Sequence, residues 1–232
     1  MIEFRDASVV APGSDVRILE PTTLTLGERR IAVIGANGSG KSTLARLING
    51  LALPTTGTVT VNGRDTRRDG AAVRRDVGFL FTDPSAQLIM PTAVEDVALS
   101  LRRTVRGKDA RARAALDALA GMGLEGKAHV SVHSLSGGQR QLLALAGVLA
   151  VEPAILVADE PTTLLDLHWR AHVDLLLAGL PQQVIEITHD LDAAARADRV
   201  IVMDSGAVAF DGAPHAAVAT YRDLMAIRGV VG

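Results

Sequence analysis

Gly35-Ala36-Asn37-Gly38-Ser39-Gly40-Lys41-Ser42 sits between a short apolar run, Arg30 to Ile34, and a helix-like segment, Lys41 to Leu51. Strand, tight glycine-rich loop and helix in that order form a phosphate-binding loop. Its glycines let backbone N–H groups converge on phosphate oxygens, and the start of the helix adds the positive end of its dipole. In such a loop Lys41 reaches the β- and γ-phosphates and the Ser42 hydroxyl ligates Mg²⁺. Gly35, Asn37, Gly38, Ser39, Gly40, Lys41, Ser42 and Thr43 are therefore the candidate residues for holding ATP and its Mg²⁺. A glycine-rich turn with an incidental lysine is the competing reading, and the strand and helix on either side weigh against it.

Strand-like runs spread outward from this loop. Ile2 to Val9 and Leu19 to Leu26 precede it, and Gly57 to Asn62 and Val77 to Phe81 follow. Lys108 to Leu119 has the alanine, leucine and arginine content of a helix, which places a helical subdomain over Thr82 to Leu149. Beyond it, the helix-like Leu167 to Ala178 separates the short apolar runs Ala154 to Ala158 and Val184 to Thr188. That unit predicts parallel strand pairing. Strands over Arg199 to Met203 and Ala207 to Asp211 and a helix over Pro214 to Ile227 close the chain.

Of the 232 residues 48% are hydrophobic and 22% charged, enough apolar content for a sizeable core. The formal net charge of −2 supplies no global positive field for nucleic acid, and 3% aromatics leave little for a base-stacking platform. The basic stretch from Arg102-Arg103 to Arg113 reads as a solvated face. The longest apolar run, Gln141 to Ala158, is broken by Glu152 and Pro153, too short for a bilayer span of roughly 20 residues. Met1 to Asp6 carries no export signal, so a cytoplasmic location is expected. Cysteine is absent, which excludes disulfides and thiol-ligated metals.

Ala154 to Glu160 is a buried strand ending in two carboxylates, an arrangement that puts Asp159 near the metal and Glu160 beside a water attacking the γ-phosphate. A second small-residue loop at a helix start, Leu135-Ser136-Gly137-Gly138-Gln139, is a second candidate anion site. With these motifs in this order, nearly the whole chain resembles the ATP-binding-cassette (ABC) ATPases, whose signature is the Leu-Ser-Gly-Gly-Gln pentapeptide. The resemblance implies an α/β, P-loop NTPase fold of the ABC-ATPase type. Residues 1–232 would form one ABC ATPase domain: a RecA-like core with an N-terminal antiparallel β subdomain over 1–81 and 150–232, and an inserted α-helical subdomain over 82–149. It further implies that Ser136, Gly137, Gly138 and Gln139 bind the γ-phosphate held by a partner subunit. Asp166, in Thr163-Leu164-Leu165-Asp166, resembles the aspartate that couples the two sites, and His189, in Ile187-Thr188-His189-Asp190, the switch histidine at the γ-phosphate. Glu160, His189 and Lys41 are then the catalytic residues, and Ser42 and Asp159 the metal ligands. The implied partners are a second ABC ATPase, identical or not, and integral-membrane transporter subunits at the inner face of the membrane. No nucleic acid is expected.

Thr82 stands where the family usually places a metal-touching glutamine, and Gln87 is an alternative five residues on. Ala11 stands where an aromatic residue usually stacks on adenine, which predicts weaker discrimination among purine nucleotides. Thr82 to Thr92 and Val94 to Ala98 resemble the membrane-subunit docking segment of energy-coupling-factor transporters, which take up vitamins and transition-metal ions. Within that group the short length and the Arg29-Arg30-Ile31 approach resemble the biotin-type ATPases, and the sequence ends soon after the last helix. The alternatives are a non-transport ABC ATPase acting on nucleic acid or ribosomes and a P-loop nucleotide kinase. The first usually needs a coiled-coil insertion or a second cassette, and the second has no use for Leu135 to Gln139.

Overall fold

The computed structural model describes residues 1–231, with side chains as far as Arg228, so that Gly232 of the expected domain lies outside the described residues. The chain divides into two units, one of Met1–Val77, Ile155–Glu160 and Pro181–Gly232, the other of Gly78–Ala154 and Pro161–Leu180.

The first unit holds two sheets. Strands β1 (Ile2–Val10), β2 (Arg17–Leu26), β4 (Thr56–Val61) and β5 (Arg64–Asp65) run in the order β2-β1-β4-β5, with antiparallel neighbours. In β1, Ile2 and Phe4 are buried while Arg5 is exposed, the alternation of a strand with one face on the core. Ile2 pairs with Leu26 on one side and Val61 on the other. The second sheet contains β3 (Arg30–Gly35), β7 (Ile155–Asp159), β8 (Gln183–Ile187), β9 (Arg199–Asp204) and β10 (Ala207–Gly212) in the order β10-β9-β3-β8-β7. Here β3 pairs parallel with β8 and β9, and β7 parallel with β8, as the strand-helix-strand pattern predicted. β7 is buried at every residue and β3 from Ile31 onward, the continuous apolar pattern of strands covered on both faces.

Helix α1 (Lys41–Ile48) contacts β3, β7 and β8 of the parallel sheet and also β2 and β4. Its Leu44, Leu47 and Ile48, spaced three and one apart, are fully buried. Truncating Leu47 to alanine would cost about 2–5 kcal/mol. Helices α7 (Leu191–Ala195) and α8 (Pro214–Val231) cover Ala32, Ile34, Val200 and Val202 through Ala194, Ala217 and Val218. A short helix α2 (Gly70–Asp76) completes the unit and leads into β6 (Val77–Leu80), where the division falls.

The second unit is helical: α3 (Ala93–Ser100), α4 (Lys108–Ala120), α5 (Gly137–Leu149) and α6 (Leu167–Gly179). α5 buries every residue from Gln141 to Val148, so it is the centre of this unit, and α3 and α4 pack on it and on each other. The buried Asp96 of α3 accepts hydrogen bonds from the N–H groups of Ile89 (2.8 Å) and Met90 (2.9 Å), fixing the loop that leads into its helix.

Candidate active site

Parallel strands bring their C-terminal ends to one edge of a sheet, the usual place for ligands in open α/β folds. Here Val33 and Asp159 both pair with Ile187, so the tips of β3, β7 and β8 lie side by side. Glu160 N donates to Ile187 O (2.9 Å) and Thr188 N to Val33 O (3.2 Å), carrying the registration past the strand ends. All the catalytic residues expected from sequence fall on this edge.

The phosphate loop leaves β3 at Gly35, whose φ is +154°. A Cβ there would lie 2.2 Å from the Met203 carbonyl oxygen, so any side chain would push the loop off the sheet. The loop's far side is held by Gly206 N donating to Ser39 O (3.1 Å), while Glu20 N donates to Gly206 O (2.8 Å). A pocket of about 170 Å³ is lined by Ile18, Asn37 to Thr43 and Glu160. Ile18 was not anticipated, because a lone aliphatic residue in a strand carries no motif. The Lys41 ammonium, 5% exposed, donates to the carbonyls of Gly35 (2.8 Å) and Ala36 (2.9 Å). Burial lowers its pKa, against the pull of Glu160 and Asp159.

Ser42 Oγ donates to Asp159 Oδ1 at 3.0 Å, joining the loop to the end of β7. Asp159 is 4% exposed, and burial, with Glu160 nearby, raises its pKa against the opposing effects of Ser42, Arg46 and Lys41. A buried carboxylate beside a hydroxyl is a hard-oxygen pair, and Mg²⁺ takes one or two carboxylates and completes its shell with phosphate oxygens and water. The pair therefore fits Mg²⁺. Glu160 follows at φ +53°, a left-handed conformation uncommon for a residue with a Cβ and concentrated at functional sites. His189 Nε2 lies 2.6 Å from Glu160 Oε1, so two residues 29 positions apart in sequence share one hydrogen bond.

The second loop lies in the helical unit. Ser136 caps α5: its Oγ accepts from Gln139 N (3.3 Å), and Gln139 Oε1 accepts from Ser136 N (3.0 Å), a reciprocal capping box. Ser136 and Gly137 are exposed, while Gly138 is buried. Asp166 caps α6, its Oδ1 accepting from Trp169 N (2.9 Å). Gln87 reaches back into its own unit, with Oε1 3.4 Å from Phe81 N and Nε2 3.5 Å from Ala144 O, and buried Gln141 approaches Phe81 O (3.5 Å). Gln141 was not singled out in the sequence, since a glutamine inside a helix is ordinarily solvated. Ala11 follows β1, its N–H bonded to Val16 O (2.8 Å).

A family model described as ABC transporter matches residues 19–163. The biotin transport ATP-binding protein BioM of Rhizobium etli is 48% identical over 225 residues, covering 97% of this chain and 99% of that protein. The energy-coupling factor transporter ATP-binding protein EcfA1 of Halalkalibacterium halodurans is 40% identical over 189 residues, covering 79% of this chain and 68% of that protein. Among solved structures, the ATP-binding cassette MJ0796, a dimer in a post-hydrolysis state bound to ADP and Pi, is similar at a TM-score of 0.82 and 31% identity, covering 92% of this chain and 99% of that one.

Proposed function

This chain belongs to the ABC transporter family and is one of its ATPases, and we propose that two such subunits enclose two ATP molecules head to tail to energise energy-coupling-factor-type uptake of a vitamin. The observation that carries this reading is the convergence of Lys41, Ser42, Asp159, Glu160 and His189 on the C-terminal edge of one parallel sheet.

ATP enters the pocket over residues 37–43, where loop N–H groups and the start of α1 receive its phosphates. Lys41 exchanges two carbonyls for phosphate oxygens, a stronger charge-assisted pairing that restores the charge burial disfavours. Ser42 and Asp159 would hold Mg²⁺, which when bound neutralises charge developing on the β- and γ-phosphates. Glu160 orients a water for in-line attack on the γ-phosphorus and takes up its proton, the water oxygen forming the new bond as the bond to the β–γ bridging oxygen breaks and ADP leaves with that oxygen. His189 Nε2 bonds Glu160, and the same N–H is the donor it turns to the γ-phosphate when ATP is bound. The exposed Ser136–Gly137 face of one subunit closes the γ-phosphate of the other, and Asp166 links the two sites. In this assignment residues 1–81 and 150–232 are the catalytic core and 82–149 the helical signature subdomain, a division by role that departs from the division by packing, which groups 161–180 with the helical unit.

No helix among the described residues is long and apolar enough to cross a membrane. By analogy with the energy-coupling-factor relative, integral-membrane partners supply the transport path and this subunit is peripheral on their cytoplasmic side. Their docking site is the segment around Ile89, which is 71% exposed, and an adjoining hollow of about 280 Å³ floored by Met90, Val94, Ala98 and Leu99 and rimmed by Glu95, Arg102 and Arg111. An apolar floor with a mixed-charge rim suits an amphipathic helix. Biotin is the proposed cargo, by analogy with the Rhizobium etli relative. In proteoliposomes holding this subunit and its co-purified membrane partners, labelled biotin should accumulate with ATP, and Glu160→Gln should abolish it with a loss of hydrolysis of about 10²-fold or more. Accumulation of a transition-metal ion instead would overturn the cargo, and undiminished hydrolysis in Glu160→Gln would overturn the site.

A further inference from the structure

The tryptophan of α6 is the chain's only one, and its ring lies against the second glycine of the Ser136–Gln139 turn. A Cβ built on Gly138 would lie 2.2 Å from Cγ and Cδ2 and 2.6 Å from Cδ1 of Trp169. The indole face is thus stacked on the bare backbone of Gly138. Around Gly137 the same construction meets nothing within 4 Å. The turn therefore has an open side, at Ser136 and Gly137, and a seated side, at Gly138.

The seat is itself fixed. Trp169 N is held by Asp166 Oδ1 (2.9 Å), and the rings of His168 and His172 stand edge-on to the indole at 5.4 and 6.0 Å, with interplanar angles of 74° and 89°. Edge-to-face packing is the preferred geometry for such rings and restrains the indole's rotation. On the turn's own side, the capping box and Arg140 Nη1 donating to Leu135 O (2.7 Å) leave little internal freedom. A rigid turn on a rigid spacer has its position set by the spacer.

We propose that Trp169 is a positioning residue that ties the Gly137-Gly138 turn to the Asp166 end of α6, so that both move as one body when a partner subunit closes. The inference rests on the reading of that turn as the lid of the partner's ATP. It assigns the two glycines different requirements: Gly137 leaves room for the ligand, and Gly138 leaves room for the indole. Because the ring presents a rigid face with only two side-chain torsions, replacing it by a flexible or small side chain lets the turn sink.

The test is a double-mutant cycle of ATP hydrolysis. Gly138→Ala forces its methyl into the ring and is expected to lower kcat/KM at least about tenfold. Trp169→Ala is expected to raise the KM for ATP about tenfold, with ATP affinity of the unpaired subunit unchanged, because the Lys41 loop is untouched. Combined, the two changes should be less damaging than their product, Trp169→Ala relieving part of the Gly138→Ala loss. Trp169→Phe, a smaller ring, provides the same comparison should Trp169→Ala melt early, and alone it should keep most of the activity. The emission of the single tryptophan should change saturably with Mg-ATP in Glu160→Gln, following the turn into the closed pair. Strictly additive losses, or an emission indifferent to ATP while Glu160→Gln pairs normally, would overturn this inference alone. Failure of Glu160→Gln to pair with ATP would instead overturn the reading on which it rests.

Discussion

Asp159 is a buried carboxylate whose ionisation works against stability. Burial holds its pKa above the ordinary carboxylate range in the folded chain, so the folded state binds more protons than the unfolded state just above pH 3.8. Stability contributed by this group therefore rises as pH falls through that window, and at neutral pH the ionised form is a cost. Asp159→Asn is expected to raise the melting temperature of the nucleotide-free protein at pH 7 by a few degrees, roughly 2–4 °C per kcal/mol, while abolishing hydrolysis. The gain should shrink as the pH is lowered toward the carboxylate range, and calorimetry across pH reads both effects. Ala11 gives the second expectation at this scale. With no aromatic at that position, ATP and GTP should bind with similar affinity, and Ala11→Tyr should tighten ATP about 5- to 150-fold by restoring a base stack. Competition binding with both nucleotides decides it. That Lys41, Ser42, Asp159 and Glu160 would lie together was legible in the sequence, because a glycine-rich loop after one strand and a carboxylate pair after another bring those types to neighbouring strand tips. The left-handed backbone of Glu160 and the Ile18 wall were not, since both depend on where the strand tips come together.

The strands were readable from their short apolar or alternating runs and the long helices from their helix-forming composition, and their limits shifted by only a few residues. The expected helix over Lys41 to Leu51 stops at Ile48, and the last helix runs on to Val231. The elements that went unread are short or mixed. α3 was unread because its buried face includes a charged residue, Asp96, which a hydrophobic pattern counts as surface. That aspartate serves as an anchor for the loop before the helix. Asp96→Ala removes two N–H···carboxylate bonds, worth about 2–4 kcal/mol together, so the melting temperature should fall roughly 4–16 °C. Bonds of 3.4–3.5 Å from Gln87 to Phe81 and Ala144 are weaker. Gln87→Ala should therefore leave the melting temperature within about 2 °C while reducing the stimulation of hydrolysis by membrane partners. Differential scanning fluorimetry and paired ATPase assays separate the two loops.

At the scale of the molecule, fold class and enzyme family were legible because four motifs occur in a fixed order along nearly the whole chain, and the family match over 19–163 agrees. The grouping of residues 161–180 with the helical unit was not, because pairing α6 with β7 and β8 in sequence says nothing about which residues its faces meet. Each chain carries one Gly35–Ser42 loop and one Ser136–Gln139 turn, so the proposed head-to-tail pair, if made of two copies of this chain, would have two equivalent sites. The most direct measurement is light scattering of Glu160→Gln with and without Mg-ATP, alongside Glu160→Gln/Ser136→Glu. Glu160→Gln should double from 24.3 kDa on addition of Mg-ATP, and the double variant, with a carboxylate facing the partner's γ-phosphate, should stay at 24.3 kDa. A double variant that pairs as well as Glu160→Gln, or a Glu160→Gln that never leaves the monomer mass, would contradict the account.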